Sequence, residues 1–258
     1  MKFNATKCYI LSINKDQNKK SFFHYQLNNV ILKHVQSNPY LGILFSHDLT
    51  WRDHINKIAS KANSTLGFLQ RNLRYCPRKC KQTAYLSLVR SVLEYGSILW
   101  DPHLQKDVDT LERVQRKALR FICGDFKNYT PGTIHLLQRK CQIPSLQDRR
   151  KALRLTFMYK VVEGLVPALP TEDFIKFNRP GRTIRSRNRT DYIVNNPVNN
   201  YIRNNSKSIK IRDSKTTQYK NSFFIRTSIE WNQLDEDTVQ AKSIDSFRNK
   251  IQKNLSLD

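Results

Sequence analysis

Apolar positions recur at helical spacing over most of the chain and alternate only near its start. Cys8 to Ile13, Ile31 to Val35 and Tyr40 to Phe45 read as short strands, the last two joined across the turn-prone Gln36-Ser37-Asn38-Pro39. At Thr50 the period changes. Thr50 and Asp53 resemble a capping box, and Ile55, Ile58, Ala59, Ala62, Leu66, Leu69 and Leu73 share one face, which predicts a helix from about Trp51 to Leu73. Pro77 at a first helical position, followed by Ala84, Leu88, Val92 and Tyr95, predicts a second helix that Gly96 ends. A third follows from Leu104, Val108, Leu111, Gln115, Ala118 and Ile122, with Gly124 as its cap. Ser145 with Asp148 opens a fourth, carried by Ala152, Leu155, Met158, Tyr159 and Val162 to Gly164.

Beyond Pro167 and Pro170 the pattern fades. Thr171 to Thr217 is rich in Asn, Arg, Ser and Pro and reads as an irregular connector. Phe223, Phe224, Ile225, Ile229, Trp231, Leu234, Ile244 and Phe247 then suggest a small satellite core that closes with a helix near Ser246 to Leu255. The expected fold is mainly α: a β piece over 1–50, a basic helical block over 51–165, a connector over 166–217 and a small C-terminal α/β element over 218–258.

Composition adds charge to this outline. The 258 residues hold 45 Lys and Arg against 21 Asp and Glu, a formal charge of +24 with a pI near 10.0 and a mean hydropathy of −0.62. With 39% hydrophobic residues the chain can bury a core, so self-repulsion of this size points to a polyanionic partner rather than to disorder. Up to Gly164 there are 28 basic and 11 acidic residues, so the helical block holds most of the excess. No carboxylate stands between Asp53 and Glu94, whereas Lys57, Lys61, Arg71, Arg74, Arg78, Lys79, Lys81 and Arg90 do. A second acid-free run holds Lys176, Arg179, Arg182, Arg185, Arg187 and Arg189. Arg113, Arg116, Lys117 and Arg120 fall at i, i+3, i+4 and i+7, a spacing that lets one helix face track a phosphate backbone, and Arg150 with Arg154 repeats it on the later helix. A single stripe of this kind is more often a solvated face, but several acid-free runs together favour nucleic acid. Tyr75, Tyr85, Phe126 and Tyr129 lie close to these bases and have the ring faces that unpaired nucleotides stack on, although core or surface packing is the commoner role of each taken singly.

Several classes of chemistry drop out. Seven glycines and no Gly-x-Gly exclude a dinucleotide fingerprint and a P-loop. Asp107 and Asp109 alternate like a metal pair on a strand, but within a helical pattern they point apart; Asp235-Glu236-Asp237 reads as a helix cap. Cys76 and Cys80 with His103, or His135 with Cys141, lack the paired spacing of a zinc site. No Gly-x-Ser-x-Gly elbow is present. Five scattered cysteines, no apolar leader and a longest apolar stretch (Ala84 to Trp100) interrupted by Arg90 and Glu94 predict free thiols, no membrane span, and an intracellular, cytoplasmic or nuclear location rather than secretion. The six Asn-x-Ser/Thr matches are then incidental to an Asn-rich chain.

Longer word-like motifs also stand out: Tyr40-Leu41-Gly42; Lys61-Ala62-Asn63 running to Leu66-Gly67-Phe68-Leu69-Gln70-Arg71-Asn72-Leu73; Leu88-Val89-Arg90 with Leu93-Glu94-Tyr95-Gly96; Trp100-Asp101-Pro102; Leu111 with Val114-Gln115-Arg116-Lys117-Ala118-Leu119-Arg120-Phe121; Leu146 with Asp148-Arg149-Arg150; and Asn221-Ser222-Phe223-Phe224 with Trp231-Asn232 and Phe247. Together they span nearly the whole chain and resemble the reverse transcriptases of non-LTR retrotransposons, the jockey-like LINE-type elements most closely. The resemblance implies that Met1, Phe3-Asn4 and Lys7-Cys8 correspond to the end of a polymerase palm, that Tyr40-Leu41-Gly42 belongs to a primer-grip hairpin, and that a thumb-like helical region and its extension follow. It also implies that the two catalytic palm aspartates lie upstream of anything present here, so the chain by itself is expected to be an inactive fragment of an RNA-directed DNA polymerase. Lys7 is then a motif remnant, an exposed strand lysine, and Mg or another divalent metal is expected only in a full-length parent, with no cofactor for this chain.

The expected partner is RNA or an RNA·DNA hybrid, together with the missing polymerase portion, and not a membrane. Contacts are expected from Arg71, Arg74, Arg78, Lys79, Lys81, Arg90, Arg113, Arg116, Lys117, Arg120, Arg150 and Arg154. The alternative is a domesticated or incidental helical protein-interaction module without enzymatic activity.

Overall fold

The computed structural model describes residues 4–13, 23–178 and 205–255, and its elements are mainly helical with a few short strands near the N-terminus. The chain divides into two compact units, residues 1–146 and 147–258. That division falls inside the stretch 51–165 that the pattern presents as one helical block.

The first unit opens with a 3-10 turn (Ala5–Lys7) and six strands: β1 (Tyr9–Ile10), β2 (Gln26–Leu27), β3 (Val30–Ile31), β4 (Lys33–His34), β5 (Ser37–Tyr40) and β6 (Ile43–Ser46). The expected single strand from Ile31 to Val35 is two, because β3 pairs antiparallel with β2 while β4 pairs parallel with β1. The expected turn over Gln36 to Pro39 is also corrected. Ser37 to Tyr40 is a strand, and it pairs with Ser46 to Ile43 across Leu41-Gly42, both of which have positive φ (47° and 84°). Pro39 is tolerated there because its partner Leu44 is one position from the Tyr40–Ile43 pair at the turn, so the backbone nitrogens of Pro39 and Leu44 both face outward.

The outward Leu44 N–H donates to Nδ1 of His54 at 3.2 Å. His54 lies on α1 (Arg52–Asn72), whose buried face is the expected series from Ile55 to Leu69. The expected capping box does not form. Trp51 is the N-cap, and Thr50 instead bonds Asp48 through its N–H and its hydroxyl.

After Pro77, which serves as N-cap rather than first helical residue, α2 (Arg78–Ala84) runs into a π-helical stretch (Tyr85–Arg90) and α3 (Ser91–Glu94). Gly96 then turns the chain with φ 63° into α4 (Ser97–Trp100). A Cβ at Gly96 would lie 2.6 Å from Ile43 Cδ1, so here glycine permits both the turn and the approach of β6. Tyr95 completes the joint by donating its hydroxyl to the Leu41 carbonyl at 3.0 Å.

Helix α5 (Gln105–Cys123) ends as expected on Gly124, whose N–H bonds the Arg120 carbonyl. The sequence pattern did not indicate α6 (Thr133–Cys141). The core gathers Ile55, Leu66, Tyr85, Val89, Leu93, Trp100, Leu111, Leu119 and Phe121, with α1 packed along α5. One polar side chain is wholly enclosed by it. Gln115 accepts from the Tyr85 hydroxyl at 2.8 Å and donates to the Pro144 carbonyl at 2.9 Å.

The second unit is built on α7 (Leu146–Val162), most of which belongs to it, with α8 (Thr171–Phe174), α9 (Thr217–Lys220), α10 (Phe223–Asn232), α11 (Glu236–Val239) and α12 (Ile244–Leu255). The expected satellite core is real but larger, since Leu155, Met158, Tyr159 and Val161 of α7 join Ile225, Trp231, Phe247 and Ile251. Tyr159 stacks on Phe247 with centroids 4.6 Å apart and donates to the Ala241 carbonyl at 2.7 Å. The connector is less irregular than expected at its two flanks. Ile175 and Ile209 are buried in this core, and Phe177 bridges Ile209. The Asn232 amide holds both backbone groups of Ile209, at 2.7 and 2.8 Å.

Two outcomes are expected. Burial first, and then the Lys57 charge, hold His54 below its ordinary value of 6.5. On acidification the unfolded chain therefore takes up this proton before the folded one does. Stability is full above pH 6.5 and falls as pH drops below it, and His54→Asn, which keeps an acceptor for Leu44, removes that share of the fall in denaturation curves taken on either side of pH 6.5. Gln115→Leu removes the Tyr85 hydroxyl bond and the donor that meets the Pro144 carbonyl, and urea denaturation is expected to register a loss of about 1 to 3 kcal/mol.

Candidate nucleic-acid interface

Burial of Leu111, Val114, Gln115, Ala118 and Leu119 on one side of α5 turns Arg113, Arg116 and Lys117 to solvent on the other. All three are exposed, at the spacing that makes them neighbours on one face. Arg120, one turn on, is half-buried. It donates to the Asp125 and Asn128 carbonyls, and its guanidinium carbon stands 4.2 Å from the centre of the Tyr129 ring.

The cations of the α1–α2 corner fall into two kinds. Arg71, Arg74 and Lys79 are exposed, and Arg74 lies 5.6 Å from the ring of Tyr75. Arg78 and Lys81 are half-buried because α2 packs against α5: Lys81 sits 5.3 Å over the Phe121 ring, and Arg78 donates to the Lys140 carbonyl in the last turn of α6. A cation there complements the negative end of the helix. These contacts gather Arg78, Lys81 and Arg120 about the C-terminal ends of α5 and α6, together with Arg139 and Lys140, which the pattern missed because it missed α6. Among the described residues, Arg71, Arg74, Arg78, Lys79, Lys81, Arg113, Arg116, Lys117 and Arg120 form no ion pair. Arg90 differs: it reaches Glu94 at 3.9 Å.

Arg150 and Arg154 do not belong to such a surface. Along α7 only Gln147 is exposed, and the two arginines are 0% and 2% exposed. Arg154 donates to both oxygens of Glu230 at 2.6 Å, and Arg226 stands 3.7 Å from the same carboxylate. Desolvation pulls the Arg154 guanidinium below its ordinary value while Glu230 opposes the shift. The expected solvent stripe is thus buried, with Arg154 ion-paired to Glu230, because all of α7 but Gln147 is withdrawn from solvent.

The remaining candidates are placed as follows. Lys7 is exposed in the 3-10 turn rather than on a strand. Lys176 is exposed, whereas Arg179, Arg182, Arg185, Arg187 and Arg189 lie outside the described residues. Asp107 is buried at the start of α5, and Asp109 accepts from Gln105 at 3.1 Å. Asp235 is the N-cap of α11 and accepts from Thr238 N–H at 3.0 Å, as its position suggested. No three His, Cys, Asp or Glu side chains gather as a metal-ligand set among the described residues. Cys141 lies beside Cys123, with the sulfurs 3.2 Å apart. Burial first, and then Cys123, push its thiol up to about 11, which keeps it protonated and a poor nucleophile. No described helix is long and apolar enough to cross a membrane.

No family model, curated protein or solved structure matches this chain.

The Arg154 assignment predicts a stability effect. Glu230→Gln takes a full carboxylate charge away from the buried Arg154 guanidinium and is expected to lower unfolding free energy by about 3 kcal/mol in urea titrations, whereas Arg113→Gln on the exposed face changes it by less than about 0.5 kcal/mol.

Proposed function

We propose that the chain binds RNA or an RNA·DNA hybrid through the cations of its first unit, as a non-polymerising relative of the retrotransposon reverse transcriptases that its motifs resemble. The observation that carries this reading is the set of nine cations, on α1, the turn after it, α2 and α5, that stand without an ion pair to any described residue. A paired cation has already exchanged its counter-ions for a carboxylate. An unpaired one keeps them, and releasing them on contact with phosphate is the main source of affinity for a polyanion. A structural role accounts for Arg78, Lys81 and Arg120, whose charges cap helix ends or cover rings, but not for Arg113, Arg116 and Lys117, which are exposed and have no ion pair to a described residue.

Binding should therefore weaken steeply with salt. Replacing Arg113, Arg116 and Lys117 together by Gln is expected to flatten the plot of log affinity against log salt concentration by about 2, with little dependence on base sequence. Fluorescence anisotropy with labelled RNA measures this. Affinity independent of salt, or unchanged in the triple variant, overturns the reading, and absence of binding turns attention to a protein partner.

A further inference from the structure

The loop that joins α5 to α6, residues 124–132, presents a tyrosine in an unusual way. Tyr129 is 75% exposed, yet it is not a free side chain. One face of its ring is covered by the Arg120 guanidinium at 4.2 Å, and that guanidinium is itself held by the carbonyls of Asp125 and Asn128. The backbone on either side of the ring is stapled too. Asp125 accepts from the Asn128 N–H, and the Asn128 side-chain oxygen accepts from the Thr130 N–H, the Thr130 hydroxyl and the Thr133 hydroxyl. Thr133 is buried at the start of α6, so the loop is anchored to the body of the unit.

The arrangement commits an arginine and four further hydrogen bonds to hold an aromatic ring out of the core with its second face toward water. Core packing does not explain it, since Phe126 and Leu136, its apolar neighbours in sequence, are also mostly exposed, at 55% and 66%. We propose that Tyr129, backed by Arg120, is a stacking platform for one unpaired nucleobase. This inference rests on the nucleic-acid reading above and narrows it to a single-stranded segment. A flat ring with one open face suits any base. Duplex does not offer one, because its bases are stacked on each other. Because the loop is already ordered, stacking loses little conformational freedom. The phosphates that flank such a base meet Lys127, two residues before the tyrosine, and Arg116, one helical turn before Arg120, neither of which is ion-paired to a described residue. Tyr75 offers a contrast. It is 91% exposed near Arg74 at 5.6 Å, but Arg74 makes no comparable carbonyl bonds among the described residues, so Tyr75 is not pre-positioned.

The test compares the full chain with its Tyr129→Leu and Tyr129→Phe variants on a short labelled oligoadenylate and on an RNA duplex of equal length, with far-UV circular dichroism to verify the fold. Tyr129→Leu should weaken binding to the single strand about five-fold or more and leave the duplex affinity unchanged, while Tyr129→Phe, which keeps the ring, should stay within about two-fold of the parent protein. Single-strand affinity unchanged by Tyr129→Leu, equal weakening on strand and duplex, or a phenylalanine variant as weak as the leucine one each overturns the platform while leaving the broader reading intact. A parent protein that binds neither probe overturns the nucleic-acid reading itself.

Discussion

The rotation of α5 about its own axis depends on one buried amide. Gln115 sits in an otherwise apolar face and is fully enclosed, which is costly unless both ends of the amide are satisfied. Tyr85 supplies a donor from the π-helical stretch, and Pro144 supplies an acceptor from the segment after α6. The same setting that buries Leu111, Val114 and Ala118 therefore directs Arg113, Arg116 and Lys117 outward. A hydrophobic face alone tolerates some slippage; two directional bonds at one residue do not.

Two sets of arginines with the same spacing have opposite fates. The α5 set has a wet face to occupy. On α7, core residues surround the helix, and a buried guanidinium persists only where a carboxylate meets it, which Glu230 does from a position 76 residues further along the chain. Placing this charge inside the second unit is worth little as net stabilisation, but removing either partner alone is costly. The surface proposed for nucleic acid is correspondingly smaller than the count of basic residues suggests, and its residues belong to the first unit.

The joint between β6 and the helices shows a similar economy of means. Gly96 lets Ile43 approach, Tyr95 caps the hairpin carbonyl at Leu41, and His54 takes the edge N–H of Leu44 while its ring stands edge-on to Trp100 at 5.2 Å. A neutral imidazole is required there because Nδ1 must accept. The hairpin is thereby tied to the body of the unit by groups that lie about 10 and 54 residues away in sequence.

Local order sufficed for much of this. Helical periodicity placed α1, α5 and α7 to within a residue or two, and Gly96, Gly124 and Gly164 end their helices because each permits a positive φ that side chains resist. The acid-free runs and the outward face of α5 were likewise readable from spacing alone. What local order could not supply is partnership. The turn moved from Gln36–Pro39 to Leu41-Gly42 because strand register is chosen by the opposite strand; α6 formed without a strong pattern because α5 offers it a surface; and Asn232 drew Ile209 out of an apparent connector into the core. Arg150 and Arg154 illustrate the limit most clearly. Their residue type and spacing are those of an exposed basic face, and only the three-dimensional arrangement, which encloses α7 and brings Glu230 to Arg154, decides that they serve the interior. Sequence determines which residues carry charge; tertiary structure decides which of those charges reach water.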